Sequence, residues 1–224
     1  MHILVFDSET TGLSKSKFIN PSNLHLWPHV VQFSYIIFDT TSNSVIKVRD
    51  FIIKIPDTVV ITEENSNIHG ITNDIAAAKG VNIKGVLEEF FEDFDFVDNV
   101  VGHNVAFDLN MVKVEVNRLL LESDQAEKLQ GFLRSLDSSR KIYCTMQDSI
   151  DLCNIEAKDK FGKTYIKFPK LIELYQKLFN VTPKNLHNSL NDVIVCLRCF
   201  IKMKYDTDVV EHSEQVKQMI KDYL

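Results

Sequence analysis

The stretch HILVFDSETTG, residues 2–12, decides the fold. Residues 2–6 form a short apolar run that predicts a buried central strand, and the polar turn Thr10-Thr11-Gly12 ends it. Side chains two positions apart point to the same face of a strand, so Asp7 and Glu9 are expected to lie together at its end. Two carboxylates there repel each other unless a cation lies between them, and such oxygen ligands suit Mg²⁺ or Mn²⁺. The alternative interpretation is a solvated strand end.

The rest of the pattern predicts an α/β fold with a mixed, roughly five-stranded sheet flanked by helices. Strands over 30–38 and 45–55 follow the first strand as an antiparallel meander, and two parallel strands are expected over 99–104 and 141–145. Helical spacing of apolar residues indicates helices over 81–94, 106–121, 124–136, 170–179 and 190–204. We expect loops over 14–29 and 154–168, short helical turns over 57–80, and a polar amphipathic helix over 211–224.

Length and charge limit the classes of function. The 224 residues suit one compact domain, which we place at 1–205, with a C-terminal helix over 206–224 packed on it. The net charge of −6 argues against a protein that holds duplex by electrostatics alone, so any binding of nucleic acid must be local. No run reaches the length of a membrane span, and the N-terminus does not resemble a signal peptide.

The four cysteines show no spacing typical of a disulfide framework, which favours an intracellular, reducing compartment such as cytoplasm or nucleus. Cys196 and Cys199 form a C-x-x-C pair. One interpretation is half of a zinc site. The other is two small residues in an apolar helix, which the lack of a second nearby pair favours.

A third carboxylate lies in the segment GHNVAFD, residues 102–108. A strand is expected to end in Gly102-His103-Asn104, and a helix to begin near Ala106. Asn104 suits an N-cap, and Asp108 falls in the first turn, where the helix dipole favours an anion. Asp108 is therefore a candidate ligand, although the stabilisation of a helix start explains it equally well.

The segment HNSLND, residues 187–192, marks the start of a late helix. Ser189-x-x-Asp192 has the spacing of a capping box, which gives Asp192 a purely structural interpretation. On a continuous helix His187 and Asp192 would lie roughly 140° apart, at ~100° per residue. They converge only if His187 lies in the loop before the helix.

These segments, in this order, resemble the three exonuclease motifs of the DEDDh family, the DnaQ-like group of the ribonuclease H-like superfamily. Residues 7–13, DSETTGL, are similar to the first motif almost letter for letter, and His69-Gly70-Ile71-Thr72 resembles a segment common in proofreading domains. The resemblance spans roughly residues 3–204. Two departures are a longer loop over 14–27, which bears on substrate preference, and Ser189 where alanine is commoner.

The resemblance implies hydrolysis of phosphodiesters with two divalent cations, Mg²⁺ or Mn²⁺. It implies that Asp7 bridges both ions, Glu9 and Asp192 complete the site of the water-bearing ion, and Asp108 supports the second. His187 is implied as the general base on the attacking water. The backbone of Thr10, Thr11, Gly12 and Leu13 is expected to cradle the terminal nucleotide. Further expected contacts are stacking or wedging by Leu13 and Phe107 and a bond from Asn104 to the terminal sugar or phosphate, with core packing as the alternative for Phe107.

The resemblance also implies a substrate class. Release of mononucleotides from 3′ ends of single-stranded or frayed DNA is favoured, and an RNA-trimming or oligoribonuclease-type enzyme is the alternative. A non-catalytic nucleic-acid-binding or scaffold module is a further alternative, which the presence of all five site residues disfavours. A polymerase or replication partner is expected if residues 206–224 dock on another protein rather than on their own domain.

Overall fold

The central sheet of the computed structural model, which describes residues 1–122, 126–137 and 141–224, has five strands in the order β3-β2-β1-β4-β5. The central strand β1 pairs antiparallel with β2 and parallel with β4, and β4 continues parallel with β5. The predicted meander plus two parallel strands is therefore confirmed. The strands are β1 His2–Thr10, β2 Val30–Asp39, β3 Ser44–Ile52, β4 Asn99–Gly102 and β5 Lys141–Cys144.

Helices cover both faces of this sheet. In chain order they are α1 Glu63–His69, α2 Asn73–Lys79, α3 Ile83–Phe96, α4 Val105–Glu122, α5 Ala126–Asp137, α6 Thr145–Asp148, α7 Ile150–Cys153, α8 Leu171–Phe179, α9 Ser189–Tyr205 and α10 Glu214–Tyr223. Short 3-10 helices span Pro21–Leu26 and Val209–Glu211. Among the described residues, no helix is both long enough and apolar enough to cross a membrane.

The first strand, β1, extends beyond the apolar run over 2–6. It continues to Thr10, where the sequence predicts the turn, because Asp7 and Glu9 stay paired with Ser34 and Gln32 of β2. A register shift between Glu9 and Thr10 then ends the regular pairing. Both acids therefore lie within a paired strand, where alternation fixes their common face.

Three segments differ most from their predicted secondary structure. The segment 154–168, expected as a loop, contains the strands β6 Glu156–Lys158 and β7 Thr164–Ile166, which form a separate two-stranded sheet. The expected loop over 14–29 contains a 3-10 helix, and the helix expected over 211–224 starts only at Glu214. Residues 124 and 125 of the helix predicted over 124–136 lie outside the described residues.

Two hydrophobic clusters flank β1 and separate its two faces. Phe6 packs with Phe33 and Phe90 in the cluster under α3 and α4. Val5 belongs to the opposite cluster, with Ile194 and Leu197 of α9. Continued alternation places Asp7 and Glu9 on the α9 side and Ser8 on the α4 side. Cys196 and Cys199 are buried in α9, which supports their interpretation as helix residues of the core.

The C-terminal segment packs against the same body. Val209 and Val216 are fully buried in the cluster that includes Phe200. Gln215 accepts a hydrogen bond from the backbone N–H of Val45 on β3 at 3.0 Å. These contacts support an appended helix on one domain, and the division at 205 and 206 stays a prediction.

A buried ion pair fastens the long loop before β2 to α4. Glu115 accepts hydrogen bonds from Arg118 at 2.7 Å and from the backbone N–H of Val30 at 3.1 Å. Arg118 also donates to the carbonyl oxygens of Leu24, Trp27 and Pro28. His29 in turn pairs with Thr11 through two hydrogen bonds, so this clamp fixes the turn that follows β1.

Arg118→Met is expected to lower the free energy of unfolding by about 3 kcal/mol, because it leaves the buried Glu115 carboxylate without its partner. Urea denaturation measures the change. Arg134→Met on the exposed face of α5 is the matched control and should cost less than ~0.5 kcal/mol. Equal losses in the two variants would contradict a structural role for the clamp.

Candidate active site

The carboxyl end of β1 brings acids together from two sides of the sheet. Asp7 and Glu9 lie on the face that α9 covers. Asp108 approaches from the α4 side, where its Oδ1 accepts hydrogen bonds from the Ser8 backbone N–H at 3.1 Å and from the Ser8 hydroxyl at 2.7 Å. Asp108 is only 3% exposed, and its carboxylate is directed at β1, so stabilisation of a helix start does not by itself account for it.

Asn104, in the turn before α4, does not have the conformation of the expected N-cap. Asn104 has a φ of 67°, in the left-handed region, whereas an N-cap residue usually has an extended backbone. Its carbonyl oxygen accepts from the N–H of Phe107 at 2.8 Å. Gly102 is needed just upstream, because a Cβ there would lie 2.9 Å from the Cβ of Val105. The side chain of Asn104 is left exposed at the edge of the site.

The start of α9 is joined directly to β1 and β2. The Ser189 hydroxyl donates to the backbone carbonyl of Asp7 at 2.7 Å, and the Ser189 N–H donates to Gln32 Oε1 at 3.2 Å. The N-cap is Asn188, whose side chain accepts from the N–H of Asn191. The predicted capping box between Ser189 and Asp192 is therefore wrong, because the serine hydroxyl donates its hydrogen bond to β1.

His187 lies in the loop before α9, as its convergence with Asp192 requires. Its φ is 67°, and its backbone N–H donates to Asp192 Oδ2 at 3.1 Å. One ligand atom from each of Glu9, His187 and Asp192 lies within 4.8 Å of the other two. The loop thus places the His187 imidazole beside the carboxylates. The hydrogen bond from the His187 N–H to Asp192 stabilises this turn.

Burial disfavours the ionised form of all four acids in the site. Desolvation raises the pKa of Asp7 to about 7, that of Glu9 to about 8 and that of Asp192 to about 9. Burial, followed by the charge of Asp7, also raises the pKa of Asp108. Within the described residues, no lysine or arginine forms a salt bridge with any of these four groups. Four oxygen donors without a basic partner fit hard divalent cations, with His187 as a further potential ligand.

A cavity of about 770 Å³ opens beside the acids. Asp7, Asn104, His187 and Asp192 line one part of it, and Phe168, Pro169 and Lys170 line another. Of the residues predicted to contact substrate, Asn104 is therefore brought to the site. Phe107 is half-buried and packs against the core, and its contact with a substrate stays a prediction.

The turn after β1 has a hydrogen-bonded backbone and one exposed apolar side chain. Thr10 donates from its hydroxyl to the carbonyl of Gly12 at 2.6 Å, and the Asn65 amide donates to the carbonyl of Thr11 at 2.6 Å. Gly12 has a φ of 145°, which favours glycine. Leu13 is 82% exposed, so this side chain is available to a ligand. His69 and Ile71 are buried behind the turn.

Sequence reasoning missed four residues that build the site: Ser8, Gln32, Asn65 and His103. The ring of His103 lies between Thr145 and Pro169, with Nδ1 3.0 Å from the Thr145 hydroxyl and Nε2 3.0 Å from the Pro169 carbonyl. A carbonyl only accepts, so Nε2 carries the hydrogen. Burial lowers the pKa of His103 to about 4, so it is neutral and fixes the segment beside the cavity. Its position directly after the buried strand β4 was the available clue.

Comparisons with known proteins agree with this geometry. A family model described as Exonuclease, RNase_T, matches residues 4–200. No curated protein sequence matches the chain. Among solved structures, E. coli exonuclease I in complex with a dT13 oligonucleotide has a TM-score of 0.61 at 19% identity, over 92% of this chain and 42% of that chain.

Two other structures give similar values. The zinc-bound E. coli exonuclease I complex with single-stranded DNA has a TM-score of 0.61 at 20% identity, over 92% of this chain and 41% of that one. Exonuclease I from Methylocaldum szegediense has a TM-score of 0.57 at 18% identity, with the same coverage of 92% and 41%. This chain spans about two fifths of the length of these relatives.

At this identity the structural likeness shows the fold, and the family model shows the family. The chain belongs to the RNase_T exonuclease family, a DnaQ-like group with the ribonuclease H-like fold. Its resemblance to the DEDDh motifs is thereby confirmed at the level of the family.

The raised pKa values predict how stability changes with pH. Asp7, Glu9 and Asp192 ionise near pH 4 in the unfolded chain and at about 7 to 9 in the folded one. Their contribution to stability is therefore fully present below pH 4 and is lost as pH rises toward 9. Without divalent cations, the melting temperature of wild type relative to Asp7→Asn should fall over this range. Saturating Mg²⁺ should remove this fall in relative melting temperature. A difference in melting temperature that does not change with pH, with and without Mg²⁺, would contradict the raised pKa values.

Proposed function

We propose that the chain is a 3′–5′ exonuclease that releases nucleoside monophosphates by divalent-metal-dependent hydrolysis. One observation carries the proposal: Glu9, His187 and Asp192 converge from a strand, a loop and a helix, within 4.8 Å of one another. Asp7 lines the same cavity as His187 and Asp192. The membership of the exonuclease family agrees with this chemistry.

Asp7, Glu9, Asp108 and Asp192 are the residues that would hold the cations, which we propose to be two Mg²⁺ or Mn²⁺ ions. Cations bound here would supply an activated water, a neutralised phosphate and a stabilised leaving 3′-oxygen. Asp7 has the central role because its charge acts on both Asp108 and Asp192, which lie on elements from opposite faces of the sheet. Ser8 and Ser189 hold the two flanking helices in register with it.

His187 is proposed as the general base. Its ring lies near Glu9 and Asp192, and a histidine can take a proton from water near neutral pH. The left-handed turn at His187 and its backbone bond to Asp192 set the direction of approach. The same geometry would let the ring ligate a cation, so the two roles need an experiment that separates them.

The substrate is proposed to be the 3′ end of single-stranded or frayed DNA. The backbone of residues 10–13 and the exposed side chains of Leu13 and Asn104 provide donors and an apolar surface for a terminal nucleotide. Structural relatives were solved with DNA oligonucleotides, which supports DNA over RNA. An RNA-trimming enzyme is the alternative, and a contact to the 2′-hydroxyl would distinguish the two. An intracellular, reducing location and a replication partner that docks on 206–224 are further proposals, the first supported by four free cysteines.

Polarity is tested with DNA and RNA of the same sequence that carry a label at the 5′ end. With Mg²⁺ the labelled DNA strand should shorten in steps of one nucleotide, and EDTA or Asp7→Ala should abolish the ladder, because the central carboxylate is lost. A 3′-phosphate should slow the reaction strongly. Cleavage of a circular strand at the rate of a linear one would contradict the exonuclease proposal, and no cleavage of any strand would favour a binding module. Faster cleavage of RNA would favour the alternative substrate.

His187→Ala should lower kcat by roughly 10²–10⁴-fold, the usual contribution of a general base, while cation affinity and substrate affinity change little. The acid limb of the pH–rate profile should flatten because the general base is gone. Single-turnover kinetics from about pH 5.5 to 9, with metal titration in parallel, measure both effects. A loss of metal affinity would assign His187 as a ligand instead, and wild-type rates would remove it from the mechanism.

A further inference from the structure

The β6–β7 hairpin carries a surface that the site chemistry does not use. Across residues 154–170 the chain has five lysines and two acids, whereas the whole chain has a net charge of −6. The large apolar side chains of this segment are exposed, with Phe161 at 84% and Phe168 at 54%. Tyr165 and Ile166 are also exposed. Aromatic rings among lysines on an otherwise acidic protein are typical of a surface that meets nucleic acid.

Hydrogen bonds within the turn hold the tip of the hairpin, residues 159–163. The Asp159 carboxylate accepts the backbone N–H groups of Phe161 at 2.8 Å and Lys163 at 2.9 Å. Gly162 takes the left-handed φ of 82° that the turn requires. The negative charge of Asp159 is thus directed into the turn, while Phe161 and its neighbouring lysines point outward.

One lysine of this segment has a structural partner, and two others are exposed without a salt bridge. Lys167 forms a salt bridge with Glu173 at 2.5 Å, which ties the end of the hairpin to α8. Lys158 and Lys163 are exposed and form no salt bridge with any described residue. Lys160 lies over the Phe161 ring, 5.0 Å from its centroid. A base stacked on the other face of that ring would place its phosphates near these lysines.

The C-terminal end of the hairpin lies at the edge of the catalytic cavity. Phe168 and Pro169 follow β7 and line the cavity together with Asp7 and Asp192. The bond between His103 and the Pro169 carbonyl fixes this connection. From Phe168 to the tip is roughly 17 Å, at ~3.4 Å per strand residue. The tip is therefore beyond the reach of a dinucleotide in the cavity but within reach of a longer strand.

We propose that the β6–β7 hairpin is a binding arm for the single strand beyond its terminal nucleotides, with Phe161 as a stacking platform and Lys158 and Lys163 as phosphate contacts. This inference rests on the proposed function, because it places the strand in the same cavity. A docking surface for a partner protein is the other occupant that exposed rings could serve. The excess of lysines over acids in residues 154–170, and the continuity of the hairpin with the acidic site that needs a nucleic-acid end, favour the strand.

Binding of a labelled 20-mer of dT in EDTA tests the arm without turnover. Phe161→Ala should weaken binding about tenfold, the effect of losing one stacked base. The double variant Lys158→Gln/Lys163→Gln should reduce the slope of log affinity against log salt by about 1.4, because two phosphate contacts on a single strand are lost. The controls are Phe96→Ala, whose ring stacks on His2 at the other end of β1, and Lys202→Gln/Lys204→Gln in the last turn of α9, where Lys202 pairs with Asp206. Neither control should change affinity or slope.

Kinetics give a second readout. The ratio of kcat/KM for the 20-mer to kcat/KM for a dinucleotide should fall about tenfold in Phe161→Ala and stay constant in the controls. Unchanged affinity, slope and ratio in both hairpin variants would overturn the arm and leave the rings as a surface for a protein. A wild-type chain that binds the 20-mer through the hairpin but cleaves nothing would refute the proposed function and not the arm. Melting temperatures confirm that each variant is folded.

Discussion

The repulsion among four carboxylates at the carboxyl end of β1 is the constraint on which the rest of the structure depends. Asp7 and Glu9 share one face of a paired strand, Asp192 faces them from α9, and Asp108 arrives from the opposite side. Burial raises the pKa of each group, and no lysine or arginine among the described residues forms a salt bridge with them. Such a cluster is costly in isolation, and its assembly by this fold supports the proposal that it holds cations.

The neighbouring contacts keep this cluster together despite its charge. Ser8 holds Asp108 on the α4 side, and Ser189 ties the first residue of α9 to the carbonyl of Asp7. The N–H of His187 bonds to Asp192, which couples the loop to the helix. Farther out, Glu115 and Arg118 fix the long loop that pairs with Thr11. Each of these contacts satisfies a polar group that would otherwise oppose burial.

Local patterns were sufficient to predict much of this arrangement. Strand geometry places Asp7 and Glu9 on one face. Helix geometry places His187 in the loop before α9, since His187 and Asp192 would lie roughly 140° apart on a continuous helix. Contacts between distant segments could not be predicted in that way. The Ser189 hydroxyl suits a capping box locally, and only the approach of β1 redirects it to Asp7. The hairpin at 156–166 was missed because its short strands are charged and exposed, without the apolar alternation that indicates a strand.

Calorimetric titration of Mn²⁺ at pH 7.5, in two buffers of different ionisation heat, tests the central claim most directly. If the four acids share protons that a cation displaces, wild type will bind Mn²⁺ and release protons to the buffer, whereas Asp7→Asn will bind far more weakly. The released protons should decrease toward zero as the pH rises above about 9, where Asp192 has ionised. No binding by wild type, or equal binding and proton release by Asp7→Asn, would contradict a cation site at the end of β1.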